Sequence, residues 1–255
     1  MKKIFLIFLS LCFMIILSGG CLPNVPGEGE GEGEGEPESA PRVVMVELFM
    51  AIGCGGCAIV EPRLEQLIEE YTLDQMILVE EIAWGDYSIS ETQDRYKWYV
   101  PNKDDRGVPH IFFDGINEPS IQGSSQATVS NLRDKIDAEL AKGSKILIDI
   151  ESRESTSTTT IIDGYIQNVS DTVLSNLVIN GMLFKALPGE NLKYLVVDIL
   201  EEQKIELSSL VPEEIVEFTF TVEGFNWEGE GIHGAIFVQA PYGVTKEILQ
   251  SGYVD

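Results

Sequence analysis

The sequence predicts an α/β domain followed by an all-β domain, both placed behind an N-terminal leader and an acidic tether. Three observations carry this prediction. A helix-bearing pattern occupies residues 41–143, short alternating strands occupy residues 144–255, and an apolar segment with a cationic start opens the chain. The 255 residues are 44% hydrophobic and 23% charged, which is typical of a folded protein with at most one membrane-inserted segment.

Residues 1–20 have the order of parts that is typical of a signal peptide. Lys2 and Lys3 precede an apolar run over residues 4–17 that is short for a membrane-spanning helix. Small residues at 18–20 then lead into Cys21. This ending resembles the lipobox of bacterial lipoproteins, which implies cleavage before Cys21 and a diacylglycerol on its sulfur. An ordinary cleaved signal, with Cys21 incidental, is the alternative.

Residues 21–40 are predicted to form the lipid anchor and a linker. The stretch 27–36 is a strict Gly-Glu repeat, which has nothing apolar to bury and whose charges repel one another. Leu22 after the anchor cysteine resembles lipoproteins that are forwarded to an outer membrane. The predicted location is therefore the cell envelope, on a lipid anchor, at the outer membrane and facing the periplasm or the surface.

The charge balance limits the partners that the protein can have. The formal net charge is −25, which argues against nucleic acid and against electrostatic docking on anionic lipid. The expected partners are extracytoplasmic proteins with cysteines, or a redox partner protein, together with the membrane through the lipid anchor.

The cysteine count narrows the chemistry further. Of the four cysteines, Cys12 leaves with the leader and Cys21 is the predicted lipid attachment site, so Cys54 and Cys57 remain. A zinc ribbon needs two such pairs, and no second pair exists. In an oxidising compartment, a single Cys-x-x-Cys is either a redox motif or a local staple.

The Cys pair is predicted to lie at a turn from a strand to a helix. Residues 43–49 have the pattern of a buried strand, and residues 58–71 have an apolar stripe at helical spacing. Cysteines at i and i+3 on a first helical turn lie close enough for a disulfide. The N–H groups and dipole at the helix start stabilise a thiolate on Cys54, while Cys57 is placed to resolve a mixed disulfide.

Two stretches of this region resemble the thioredoxin superfamily. The first, from Cys54 to Tyr71, looks like the active-site helix of the family, with Pro62 five residues after the second cysteine. The second, Gly107 to Gly115, looks like the cis-proline loop and the strand that follows it. The resemblance implies a thioredoxin-like α/β domain over residues 41–143. It also implies that Val108 and Pro109 face the Cys pair, bind the substrate peptide and are joined by a cis peptide bond.

The sequence departs from that family at two positions near the cysteines. Gly53 stands where thioredoxins usually carry Trp, and Glu47 lies seven residues before Cys54 rather than six. Glu47 is a candidate proton acceptor, with a solvated strand-end carboxylate as the alternative. His110 is a candidate neighbour of the sulfurs, as a thiolate partner or copper ligand, but a structural strand histidine is the favoured interpretation.

Residues 144–255 are predicted to form an immunoglobulin-like β-sandwich. Seven short alternating runs separated by turn signals support it. This half shows no nucleophile–base pair, metal cluster or phosphate loop, so it is either a spacer or a docking module. The whole layout over residues 43–252 resembles a family of outer-membrane lipoproteins in which a thioredoxin-like domain precedes a sandwich. The predicted runs are 145–151, 157–167, 176–185, 194–200, 215–222, 233–239 and 246–252.

The function predicted from these observations is thiol–disulfide exchange on extracytoplasmic proteins. Cys54 and Cys57 are the predicted catalytic pair, with Glu47 as their candidate acid, and neither a dissociable cofactor nor a metal is required. The main alternative is a binding or structural lipoprotein in which the pair is a fixed local disulfide. Copper handling is a third possibility and is ranked low.

Overall fold

The structure is a computed structural model that describes residues 39–116, 119–189 and 191–255. All of them belong to one compact unit, residues 36–255. The strands are β1 Val44–Met50, β2 Met76–Ile82, β3 His110–Phe113, β4 Ile121–Gln122, β5 Ile146–Ser155, β6 Thr159–Asn168, β7 Leu174–Leu187, β8 Leu192–Ile199, β9 Ile205–Leu210, β10 Ile215–Glu223, β11 Ile232–Gln239 and β12 Ile248–Val254. The helices are α1 Cys57–Glu70, α2 Ser90–Tyr99, α3 Val129–Leu140 and α4 Trp227–Glu230.

The predicted fold class, a thioredoxin-like α/β domain followed by an immunoglobulin-like sandwich, is wrong. Strands account for 44% of the structure and helices for 21%, in one mixed and one antiparallel sheet. Nine strands drawn from both predicted halves share the mixed sheet, in the order β12-β11-β7-β8-β2-β1-β3-β4, with β9 also paired to β7. Only β10, β6 and β5 form the second sheet, so the strand-rich half is no separate two-sheet sandwich. The predicted boundary between residues 143 and 144 concerns independent folding and stays a prediction.

The two halves meet where β8 lies beside β2. Glu80 pairs with Leu195 in parallel register, and β8 continues antiparallel along β7. β7 is 14 residues long, and its other pairings are with β9 over its first part and with β11 over its second. Alternation along the chain predicted most of these strands, but their order in the sheet depends on contacts between residues more than a hundred positions apart.

Strands β1 and β2 form the parallel core of the sheet and are buried on both faces. The β1 residues Val44, Val46 and Leu48 contact the α1 and α3 side, and the alternate residues face the other way. The face toward α1 and α3 is called the disulfide face below, and the face toward α2 is called the α2 face. This division decides which buried side chains can reach the cysteines.

A buried ion cluster around Arg42 joins distant parts of the unit. Its guanidinium donates to Asp114 at 2.7 Å and to the carbonyl of Ile248 at 2.8 Å, and lies 3.3 Å from Glu139. Burial raises the pKa of Asp114 to about 7, against the opposing effect of Arg42. The start of β1, the end of β3, helix α3 and strand β12 are therefore connected by one side chain.

Several predictions concern residues that lie outside the described ranges. The signal peptide at 1–20, the lipidated Cys21 and the Gly-Glu stretch of the linker are among them. Within the described ranges, no helix is both long enough and apolar enough to cross a membrane.

Candidate functional site

Cys54 and Cys57 form a disulfide at the start of α1, as the strand-to-helix pattern predicts. Their Cα atoms are 5.2 Å apart. Cys57 is the first helical residue and Cys54 lies in the turn before it. The backbone N–H of Cys57 donates to Cys54 Sγ at 3.1 Å, so the helix start directs a donor at this sulfur.

The two sulfurs differ in access to solvent. Cys57 is 1% exposed and belongs to the hydrophobic core, whereas Cys54 is half-buried beside exposed Gly53 and Gly55. An incoming thiolate therefore meets Cys54 first, because core side chains cover the other sulfur. The Gly-Gly pair between the cysteines adds no side chain that would cover Cys54.

Val108 and Pro109 lie against the Cys pair, where the resemblance placed them. The Val108–Pro109 peptide bond is cis, which confirms that prediction. Cys54 Sγ is 3.8 Å from the carbonyl oxygen of Val108. A Cβ added to Gly56 would come within 3.0 Å of Pro109 Cδ, so the proline ring sits directly against the turn between the cysteines.

The structure does not bring Glu47 to the cysteines. Glu47 lies on the α2 face, where Arg95 Nε donates to Oε1 at 2.5 Å and the Tyr99 hydroxyl donates to Oε2 at 2.7 Å. The carboxylate is fully buried, so the alternative of a solvated strand-end group is also wrong. Both partners come from α2, which lies more than forty residues after Glu47 in the sequence.

Sequence reasoning missed a different carboxyl group beside the disulfide. Glu61 lies one helical turn after Cys57, and it lines a cleft of about 240 Å³ together with both cysteines. The side chain is buried and its Oε1 has no hydrogen-bond partner. Burial, and then the nearby Glu65 carboxylate, raises the pKa of Glu61 to about 7. The i+4 spacing from Cys57 was the available signal.

Glu80, on β2, is a second buried carboxyl group whose charge interacts with that of Glu61. Its Oε2 accepts the backbone N–H groups of Lys193 and Tyr194 at 3.0 and 2.9 Å, while Oε1 has no partner. Burial raises the pKa of Glu80 to about 7, and the charge of Glu61 adds to that rise. Glu61 on α1 and Glu80 on β2 thus interact through their charges and both have a pKa of about 7, so Glu61 can release or accept a proton beside Cys57.

His110 does not approach the sulfurs. It lies on the α2 face, with Nδ1 3.1 Å from the Tyr96 hydroxyl and Nε2 2.8 Å from Ser120 Oγ. Burial lowers the pKa of His110 to about 4, so the ring is neutral. This is the structural strand histidine that the sequence favoured. Among the described residues, no group of three or more His, Cys, Asp or Glu side chains is arranged to hold a metal ion.

Of the three comparisons with known proteins, only the one with solved structures found matches, and it bears on the fold alone. No protein-family model matches the sequence, and no curated protein matches it. Among solved structures, HBP35 of Porphyromonas gingivalis matches with a TM-score of 0.66 and 14% identity, covering 84% of this chain and 75% of that one. The chain therefore shares the fold of HBP35 over most of its length.

Two further matches are much weaker. A domain of the outer membrane lipoprotein Omp28 from Porphyromonas gingivalis has a TM-score of 0.32 and 16% identity, over 44% of this chain and 88% of that one. β-Glucosidase 3B from Thermotoga neapolitana has a TM-score of 0.27 and 15% identity, over 43% of this chain and 15% of that one. With TM-scores this low, neither match shows a shared fold.

Proposed function

We propose that this protein is a lipid-anchored envelope protein whose Cys54–Cys57 pair exchanges disulfides with cysteine-bearing proteins. The observation that carries the proposal is the asymmetry of the pair. Cys54 is accessible and accepts an N–H from the helix start, while Cys57 is buried beside a carboxyl group. The resemblance of residues 54–71 and 107–115 to the thioredoxin superfamily supports the same chemistry.

The exchange begins when a substrate thiolate attacks Cys54 Sγ. The Cys54–Cys57 bond breaks, Cys57 leaves as a thiolate, and this thiolate takes a proton from Glu61. A second substrate thiolate attacks the substrate sulfur of the mixed disulfide and releases Cys54, so the substrate is oxidised and the pair gains two electrons. The same steps in reverse reduce a substrate disulfide, with Cys54 as the attacking thiolate.

Val108 and Pro109 are proposed to bind the substrate beside Cys54. The half-buried Val108 borders the sulfur through its carbonyl oxygen, and the ring of Pro109 packs on the turn that carries the cysteines. Because Val108 and Pro109 border Cys54, a peptide whose sulfur reaches Cys54 would contact these two residues. The core covers Cys57, so the peptide does not reach the deeper sulfur.

The anchor is proposed at Cys21, ahead of the Gly-Glu linker, and the proposed location is the outer membrane. Acylation stabilises membrane attachment by about 0.8 kcal/mol for each buried methylene. Cys21→Ala should therefore move the protein from the membrane fraction to the soluble fraction. Retention of this variant in the membrane at the wild-type level would contradict the anchor.

A binding or structural lipoprotein with a fixed disulfide is the second candidate, and the structural comparisons suit it better. The likeness to HBP35 covers 84% of the chain, so it includes the strand-rich half that disulfide exchange does not need. A large sheet of this kind is a suitable scaffold for binding a partner. Whichever candidate holds, the disulfide and the sheet belong to one compact unit.

Trapping of mixed disulfides separates the two candidates. Cys57→Ser should accumulate high-mass adducts in its own compartment on non-reducing gels, because nothing remains to resolve the first bond. Cys54→Ser is the matched control and should give few adducts, since its remaining sulfur is buried. Reductant should clear the adducts. Absence of adducts from both variants, with Cys54 unreactive to alkylating reagent in the folded reduced protein, would favour the fixed disulfide.

A further inference from the structure

A second cavity, here called the α2 cavity, lies away from the disulfide. It has a volume of about 540 Å³ and is bounded by α2, β7, the start of β9 and the loop after β11. None of the residues that line it also lines the cleft at the cysteines. Its size falls in the range of small-molecule sites in proteins, roughly 300–1,000 Å³.

Carboxylates outnumber cations around the α2 cavity. The cavity is lined by Glu91, Asp94, Glu201 and Glu206, against Arg95 and Lys204. Arg95 is already paired with Glu47, Lys204 lies 3.3 Å from Glu201, and Asp94 lies 2.7 Å from Lys97 outside the cavity.

Two of these carboxylates have no ion-pair partner among the described residues. Within the described residues, neither Glu91 nor Glu206 takes part in an ion pair; Glu91 accepts only the Ser90 hydroxyl, at 3.0 Å. Glu91 is half-buried on α2 and Glu206 is exposed on β9. They therefore present negative charge from two sides of the cavity. A cationic ligand would neutralise both.

Aromatic side chains stand among the carboxylates. Trp98 lines the cavity from α2, and its ring already lies 4.6 Å from Lys246 Nζ and 6.0 Å from the Arg95 guanidinium carbon. Tyr242 lines it from the loop after β11 and is 73% exposed. Indole and phenol faces attract ammonium and guanidinium groups and also cover methylene chains.

The floor of the cavity is built from buried polar side chains that hold one another in place. Gln239 accepts from Arg95 at 3.3 Å and donates to the Tyr99 hydroxyl at 3.1 Å. Asn180 donates to Glu201 at 3.0 Å, which orients this carboxylate at the wall. Arg95, Asn180 and Gln239 are all at least nine-tenths buried. A preformed floor of this kind lowers the ordering cost of binding.

From this combination we propose that the α2 cavity binds a small organic cation that carries amine or guanidinium groups on an aliphatic chain. Glu91 and Glu206 pair with its charged groups, and Trp98 and Tyr242 cover the chain between them. The overall charge of −25 attracts such ligands to the surface, and the cavity selects among them. The proposal is independent of the chemistry at Cys54 and Cys57.

Titration calorimetry of the full-length protein with spermidine, in buffer with physiological salt, tests the proposal. We expect one-site binding that weakens about fivefold in Glu91→Gln and about fivefold in Glu206→Gln, the effect of one carboxylate near a cation in water. Tyr242→Ala should weaken binding by about threefold to fivefold, as expected for an exposed cation–π contact. All three side chains lie at the surface or half-buried, so folding of the variants is not at issue.

Glu202→Gln is the matched control, because it removes the same charge from an exposed site next to the cavity wall without lining the cavity. Its spermidine affinity should equal that of the wild type. Equal weakening in Glu202→Gln and Glu206→Gln would show diffuse attraction to an acidic surface and overturn the proposal. Absence of saturable binding, or tighter binding of uncharged glucose than of spermidine, would overturn it as well.

Discussion

Glutamates are buried on both faces of strands β1 and β2, but the two faces differ in the hydrogen-bond partners that they offer to the carboxyl oxygens. On the α2 face, Glu47 has both oxygens hydrogen-bonded, to Arg95 and to Tyr99. On the disulfide face, Glu80 and Glu61 each retain an oxygen without a partner. Within the described ranges, a buried cation pairs with Glu47 on the first face, and no buried cation forms an ion pair with Glu61 or Glu80 on the second.

The difference in partners indicates which of the buried carboxyl groups can take part in proton transfer. Arg95 is buried together with Glu47 and forms an ion pair with it. Burial lowers the pKa of Arg95, but the charges around it, that of Glu47 first, together outweigh this effect and raise it. Glu81, also on the α2 face, lies 3.9 Å from Arg95 Nε, and burial followed by the charge of Glu47 raises its pKa well above normal. One arginine thus faces both buried acids of the α2 face and lies closer to Glu47 than to Glu81. Burial raises the pKa of Glu61 and of Glu80 to about 7, so these two carboxyl groups can exchange protons near neutral pH.

Among the variants considered, removal of the Arg95 guanidinium should change the free energy of unfolding most. In Arg95→Met, two carboxyl groups remain buried without compensation, so we expect a loss of about 3–5 kcal/mol in the free energy of unfolding. Chemical denaturation measures it. Arg133→Met is the matched control, because it breaks a solvent-accessible pair with Glu70 and should change the free energy of unfolding far less than Arg95→Met. Equal losses in the two variants would show that the α2 face does not depend on Arg95.

Replacing Glu61 and Glu47 by Gln, one at a time, should show which of the two acids takes part in reduction of the disulfide. Glu61→Gln removes the proton source beside Cys57, so reduction of the disulfide by a small thiol at pH 7 should slow on the order of 10²-fold. Glu47→Gln should leave that rate unchanged, because its carboxylate lies on the α2 face. Rapid-mixing kinetics with each variant give the comparison. A slower rate in Glu47→Gln than in Glu61→Gln would reverse our assignment of the two faces.

Glu80 should make the free energy of unfolding depend on pH, an effect smaller than those expected for Arg95→Met and Glu61→Gln. Its pKa is raised from 4.5 to about 7, so the folded protein binds more protons than the unfolded chain between these values. By linkage, this group favours folding at low pH, and its contribution is lost as pH rises from about 4.5 to about 7. Gln retains the oxygen that accepts from Lys193 and Tyr194. Glu80→Gln should therefore gain stability relative to the wild type across that interval, measured by denaturation at several pH values. A constant difference would contradict the raised pKa.

The sequence predicted local features well because their signals are local. The strand predicted over residues 43–49 agrees with β1 to within one residue, and the strand-to-helix turn at Cys54 and the cis bond before Pro109 lie within a few residues of the motifs that predicted them. Strand β9 was missed, since Ile205–Leu210 contains three apolar residues among polar ones. Glu61 was overlooked although its i+4 spacing from Cys57 was visible.

Sheet order and the placement of Glu47 were decided by the tertiary structure alone. Strand β1 is apolar on both faces, so alternation shows that Glu47 points away from Leu48 but does not say which face α1 covers. Likewise, the pairing of Glu80 with Leu195 depends on contacts across more than a hundred residues. Periodicity is a property of neighbouring residues and determines elements, whereas long-range packing determines how they share a sheet and which acid meets the disulfide.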